Sequence, residues 1–145
     1  MAKGTVSTVT TTSPDETRGE GEKLGRTLKP GDIVLLDGDL GCGKTVFTQG
    51  IARGLEVDGS TPVRSPTYTI IHEYKGPVRV RHVDLYRIDS ADDLDTVGLF
   101  DVGYKGVTVI EWADKLKIEA DCVKVELKEI SGVRREITIT DRRIP

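Results

Sequence analysis

The sequence has no asparagine, only two cysteines and one tryptophan, and no apolar run long enough to cross a bilayer. Each shortage removes a class of protein. A guanine-reading Asn-Lys-x-Asp element cannot be built without asparagine, which argues against a GTPase. Asp95-Thr96-Val97-Gly98 imitates a GTPase switch element, but it falls inside a helical pattern instead of at a strand end. Cys42 and Cys122 have no metal-ligand spacing, so they make no zinc site and read as reduced thiols of a cytosolic protein. The Thr- and Ser-rich start lacks the apolar segment of a signal peptide. A soluble, cytoplasmic chain without membrane contact is expected. A net charge of −3 and a pI near 5.4 argue against an autonomous binder of nucleic-acid backbone. Arg134, Arg135, Arg142 and Arg143 read as solvated arginines on strand ends rather than as an RNA-contacting patch. With 145 residues, one domain over 1–145 is expected, residues 1–4 forming a mobile end.

What is present centres on Gly38-Asp39-Leu40-Gly41-Cys42-Gly43-Lys44-Thr45, which fits Gly-x-x-x-x-Gly-Lys-[Ser/Thr]. Glycine backbone at positive φ can turn its N–H groups inward around phosphate oxygens. Lys44 would reach the terminal phosphates, and the Thr45 hydroxyl would ligate Mg²⁺. The apolar run Ile33 to Leu36 predicts a buried parallel strand before the loop. Val46, Phe47, Gly50, Ile51 and Leu55 predict a helix after it, with Gly54 as the C-terminal cap. That order sets a helix N-terminus at the phosphates. Cys42, near that terminus, reads as a small filler.

Elsewhere, Thr5 to Thr12 predicts an edge strand. Ser13, Pro14 and Glu16 predict a capped helix start with a capping box. Gly19, Gly21 and Gly25 should weaken that helix, leaving Leu24 and Leu28 to pack. Residues 56–66 form a long polar connection, a candidate functional loop. Thr67 to Tyr74 and Val78 to Tyr86 predict a hairpin, Ser90 to Phe100 a helix and Val107 to Ile110 a strand. Val123 to Ile130 and Val133 to Thr140 predict a hairpin around Ser131-Gly132, one face wet.

A phosphate loop only binds; hydrolysis needs groups at the C-terminal ends of neighbouring strands. Glu111 follows the apolar strand Val107 to Ile110, and Asp84 follows Val78 to Val83. Either could hold Mg²⁺ through water or orient the attacking water. Thr67, in Ser65-Pro66-Thr67, could close on Mg²⁺ and the γ-phosphate. His82 reads as a packed or partner-facing side chain rather than a base, and Trp112 as core or interface.

Gly38 to Thr45, Ser65-Pro66-Thr67-Tyr68-Thr69, His82-Val83-Asp84-Leu85-Tyr86-Arg87 and Ile110-Glu111-Trp112, in that order, resemble the bacterial TsaE family from about Ser13 to beyond Trp112. The resemblance implies a P-loop NTPase of the α/β class, a three-layer sandwich with a mixed, partly antiparallel sheet. It implies an ATPase supporting formation of threonylcarbamoyladenosine beside the anticodon of tRNA. ATP and Mg²⁺ would be its cofactors, TsaB and TsaD its partners, and tRNA a contact only through their complex. By position, residues 38–46, ending in Lys44, Thr45 and Val46, would hold nucleotide. Thr67 would belong to a switch-like loop, Asp84 would be the Walker-B-like acid, and Glu111, with Thr45, would hold the metal. Three residues depart from the family pattern: Cys42 for alanine, Val46 for a second threonine, and Glu20 at a usually apolar position. A nucleotide-regulated interaction module and a small-molecule kinase remain alternatives, although the short chain offers no clear second pocket or lid.

Overall fold

The computed structural model describes residues 5–38, 43–59, 63, 71–84, 105–111 and 121–143. Within them the chain runs β1 (Thr5–Thr11), α1 (Pro14–Gly25), β2 (Ile33–Asp37), α2 (Lys44–Gly54), β3 (Ile71–Tyr74), β4 (Val80–Asp84), β5 (Val107–Glu111), β6 (Val123–Ser131) and β7 (Arg134–Asp141). The strands form a seven-stranded sheet in the order β1-β7-β6-β2-β5-β4-β3. Strands β6, β2, β5 and β4 run parallel to one another, and antiparallel strands finish both edges. The mixed sheet, the edge strand and both hairpins agree with the sequence reading. The expected helix over Ser90 to Phe100 lies outside the described residues.

Strand β2 buries Val34, Leu35 and Leu36 because it is central and covered on both faces. Val34 and Leu36 join Val80, Val107, Val109, Val123 and Val125 in one cluster with Phe47 and Ile51 of α2 and Leu24 of α1. Alternate strand residues share a face, so these positions define the helix-covered side of the sheet.

Helix α1 begins as its sequence directs: Pro14 is at the first position and Ser13 Oγ accepts from the Glu16 amide at 3.1 Å. The other half of the expected capping box differs. Glu16 accepts from the Thr12 amide at 2.7 Å and the Thr12 hydroxyl at 2.8 Å, one residue before the cap. Those bonds, the amide's first, hold the Glu16 carboxyl below its ordinary value. Glu20 is accommodated by pairing with Lys23 at 3.1 Å.

The glycines of α1 do not interrupt it. Gly21 and Gly25 meet Gly50 and Gly54 of α2 where the two helices cross, and a Cβ at any of the four would strike backbone of the other helix. Small residues four apart let backbones approach closely, so the helix lies flat against α2 at the cost of intrinsic propensity. Gly54 is therefore a close-approach residue and not the expected left-handed cap; positive φ falls on Glu56.

Arg143 departs from the solvated reading of the C-terminal arginines. It donates to Asp141 (2.7 and 3.0 Å), to Asp32 at 3.1 Å and to the Thr27 carbonyl at 3.0 Å, fastening the end of β7 to the α1–β2 connection. The hydrogen bond with Asp141 is the main reason that the Arg143 guanidinium is held above its usual value and the Asp141 carboxyl below.

Candidate phosphate site at the ends of the parallel strands

The site grows from β2. The strand ends at Asp37, and Gly38 follows with φ +155°. The chain re-enters the described residues at Gly43, whose φ of +103° only glycine adopts without strain. Gly43 is also the N-cap of α2 and supplies no side-chain cap. The first amides of that helix therefore have no side-chain acceptor at the cap and carry the positive end of the helix dipole. Lys44, the first residue of α2, is 6% exposed, and its ammonium donates to the Gly38 carbonyl at 2.7 Å. That bond closes the two ends of the loop on one charged group. Thr45 and Val46, which follow Lys44 in the first turn, are half-buried. Asp39, Leu40, Gly41 and Cys42, the middle of the loop, lie outside the described residues, as does Thr67.

Beside the loop, a cavity of about 130 Å³ is lined by Pro14, Thr17, Gly43, Val46, Val133 and Arg135. Sequence reasoning singled out Val46 and Gly43 here but not Pro14, Thr17 or Val133. These come from α1 and from the β6–β7 turn, which are far from the loop in sequence.

The two acids stand where expected. Glu111 is in register with Leu36 of β2 on one side and with Asp84 of β4 on the other. Glu111 is thus at the C-terminal end of the strand beside the one that feeds the loop and Asp84 at the end of the next strand over, both on the side covered by α2. Glu111 is 2% exposed and Asp84 3%. His82, two residues before Asp84 on the same face, is buried as expected, but it is not simply packed. Its Nε2 lies 2.5 Å from Glu111 Oε2, and its Nδ1 lies 3.2 Å from the Tyr74 hydroxyl. Sequence reasoning missed this Tyr74–His82–Glu111 chain. The available signal was the parity of His82 and Asp84 along one strand, but the partner strand's register was needed to see it.

Strand, loop, helix and strand-end carboxylates define a P-loop α/β protein with a mixed sheet. Comparison with known proteins narrows the class. The model of the family "Threonylcarbamoyl adenosine biosynthesis protein TsaE" matches residues 11–137. A Bacillus subtilis protein named tRNA threonylcarbamoyladenosine biosynthesis protein TsaE is 37% identical over 134 residues, covering 90% of this chain and 82% of its own. A Treponema pallidum protein of the same name is 35% identical over 130 residues, covering 88% and 95%. The crystal structure of Bacillus subtilis YdiB superposes with a TM-score of 0.76 at 31% identity, over 98% of this chain and 89% of that one. The chain belongs to the TsaE family, proteins of tRNA threonylcarbamoyladenosine biosynthesis. No helix among the described residues is long and apolar enough to cross a membrane.

Proposed function

We propose that the chain is the ATP-binding and ATP-hydrolysing subunit in formation of threonylcarbamoyladenosine beside the tRNA anticodon, working in the cytoplasm with TsaB- and TsaD-family proteins. The observation that carries the reading is the buried Lys44 ammonium, held at the mouth of the loop by the Gly38 carbonyl, beside strand ends bearing Glu111 and Asp84. An ammonium bonded to a main-chain carbonyl can exchange that neutral acceptor for phosphate oxygens, a stronger charge-assisted partner. The amides of residues 38–46 would cradle the phosphates, and Thr67 would complete the site from its switch-like loop.

The donor set fits Mg²⁺: a hydroxyl from Thr45 and a carboxylate from Glu111 are hard oxygen ligands suited to a metal that also keeps waters and phosphate oxygens. Bound there, Mg²⁺ would neutralise charge developing on the transferred phosphoryl group. The protein's own part is positioning. Lys44 steadies the terminal phosphates, and Asp84 orients the water. Attack by that water forms a bond to the γ-phosphorus, breaks its bond to the β–γ bridging oxygen and yields ADP and inorganic phosphate. The test is phosphate release with and without TsaB- and TsaD-family proteins. Partner-dependent release that disappears in Glu111→Ala supports the ATPase. Nucleotide binding that alters partner affinity with no release in either condition would leave a nucleotide-regulated interaction module instead.

A further inference from the structure

Tyr74, His82 and Glu111 come from β3, β4 and β5, are 1%, 0% and 2% exposed, and are joined in sequence by two hydrogen bonds. We propose that His82 is the positioning residue of Glu111, its tautomer fixed by Tyr74. The inference rests on the reading of Glu111 as the metal-linked acid.

Glu111 is the end residue of β5, and its side chain has several rotors that a strand end does not itself restrain. A carboxylate accepts only, so the 2.5 Å contact places the proton on His82 Nε2. The other ring nitrogen, Nδ1, lies 3.2 Å from the Tyr74 hydroxyl, which can donate to it. In the proposed arrangement Tyr74 Oη–H donates to Nδ1 and Nε2–H donates to Oε2. The ring is fully buried and lies across from Val109 on β5, one alternate position before Glu111. It cannot follow Glu111 if the carboxylate swings, so the bond selects one orientation. Oε2 is committed to the ring, while Oε1 carries no other bond among the described residues. A histidine bonded to a carboxylate in this manner sets the orientation and basicity of a ligand it does not replace.

A purely structural histidine would fill volume; a positioning one must donate from Nε2. The two roles separate in His82→Leu, which keeps bulk and removes the donor, and His82→Gln, whose amide can donate to Glu111 and accept from Tyr74. The wild-type protein should show the Nε2–H tautomer of His82 in long-range proton–nitrogen correlation spectra. His82→Leu should keep metal-free ATP affinity within about twofold but weaken Mn²⁺ binding to the ATP complex, read by electron paramagnetic resonance, and lower kcat in the partner-containing assay, each by roughly 10- to 100-fold. His82→Gln should recover most of both losses. Tyr74→Phe, which retains the ring, should give a mixed tautomer and a smaller fall in kcat with KM for ATP unchanged. An Nδ1–H tautomer in the wild type would overturn the proposal. So would wild-type Mn²⁺ affinity in His82→Leu, or equal losses in the Leu and Gln variants. If the wild-type protein released no phosphate, the ATPase reading would fall by itself; tautomer and Mn²⁺ affinity would still decide the role of His82.

Discussion

At the residue scale the site depends on a few charged groups with little access to water. Lys44 is 6% exposed, and its ammonium donates to the Gly38 carbonyl. Replacing it with alanine should weaken ATP affinity by about 10- to 100-fold, as loss of a charged hydrogen bond worth about 1.5–3 kcal/mol implies. Calorimetry showing unchanged affinity would remove Lys44 from the site. Glu111→Ala should leave ATP affinity near wild type and abolish most phosphate release. Arg143 offers a pH-dependent test away from the site. Asp141 has a depressed carboxyl, so its share of stability is complete above the ordinary carboxylate value of 3.8 and fades as pH falls through its lower folded value. Both side chains are partly exposed, at 19% and 30%, so the pair is worth about 1 kcal/mol rather than more. Arg143→Ala should therefore lower Tm by about 3 °C at pH 7. The gap from wild type should narrow as pH falls below 3.8 and close only beneath the depressed folded value, where the carboxylate is protonated in both states. A gap that stays constant down to pH 2 would mean that Arg143 acts through Thr27 and packing alone.

At the element scale the α1–α2 crossing is what the sequence hid most effectively. Glycine every few residues in α1 looks like a helix that should fray, and by propensity alone it is. The compensation lies on α2, where Gly50 and Gly54 provide the matching absence of side chains. The prediction is a contrast within one helix. Gly25→Ala sets a methyl against the Ile51 carbonyl and should destabilise by about 2 kcal/mol or more, because backbone must move. Gly19→Ala meets nothing within 4 Å and should stabilise by about 0.5–1 kcal/mol through helix propensity and a stiffer unfolded chain. Denaturant titration of both variants reads the difference directly. Equal effects of the same sign would show that the crossing is looser than described. Because α2 carries Lys44 and Thr45, the crossing also sets where the helix N-terminus stands relative to β2.

At the scale of the whole molecule, one sheet ties the parts together: the antiparallel β1, β7 and β6 continue into the parallel strands that present the loop and the acids. Cys122, immediately before β6, is 3% exposed, and burial pushes its thiol above the ordinary value. It should react with a thiol reagent only when the sheet opens, at a rate that rises with denaturant as global unfolding does. Peptide mass spectrometry can follow Cys122 by itself. Fast labelling without denaturant would place the start of β6 in a locally unfolding unit.

The sequence by itself determined the strand–loop–helix unit, the two strand-end acids and the family. Those features are written in local chemistry: glycines where φ must be positive, a lysine and a hydroxyl at fixed spacing, an apolar run for a strand buried on both faces. Only the tertiary structure decided that the α1 glycines match those of α2, that Arg143 clamps a loop, and that His82 holds Glu111 with Tyr74 behind it. Each of those depends on a register or crossing between segments distant along the chain. Such contacts are set by the packing of whole elements, and no short window of residues encodes them.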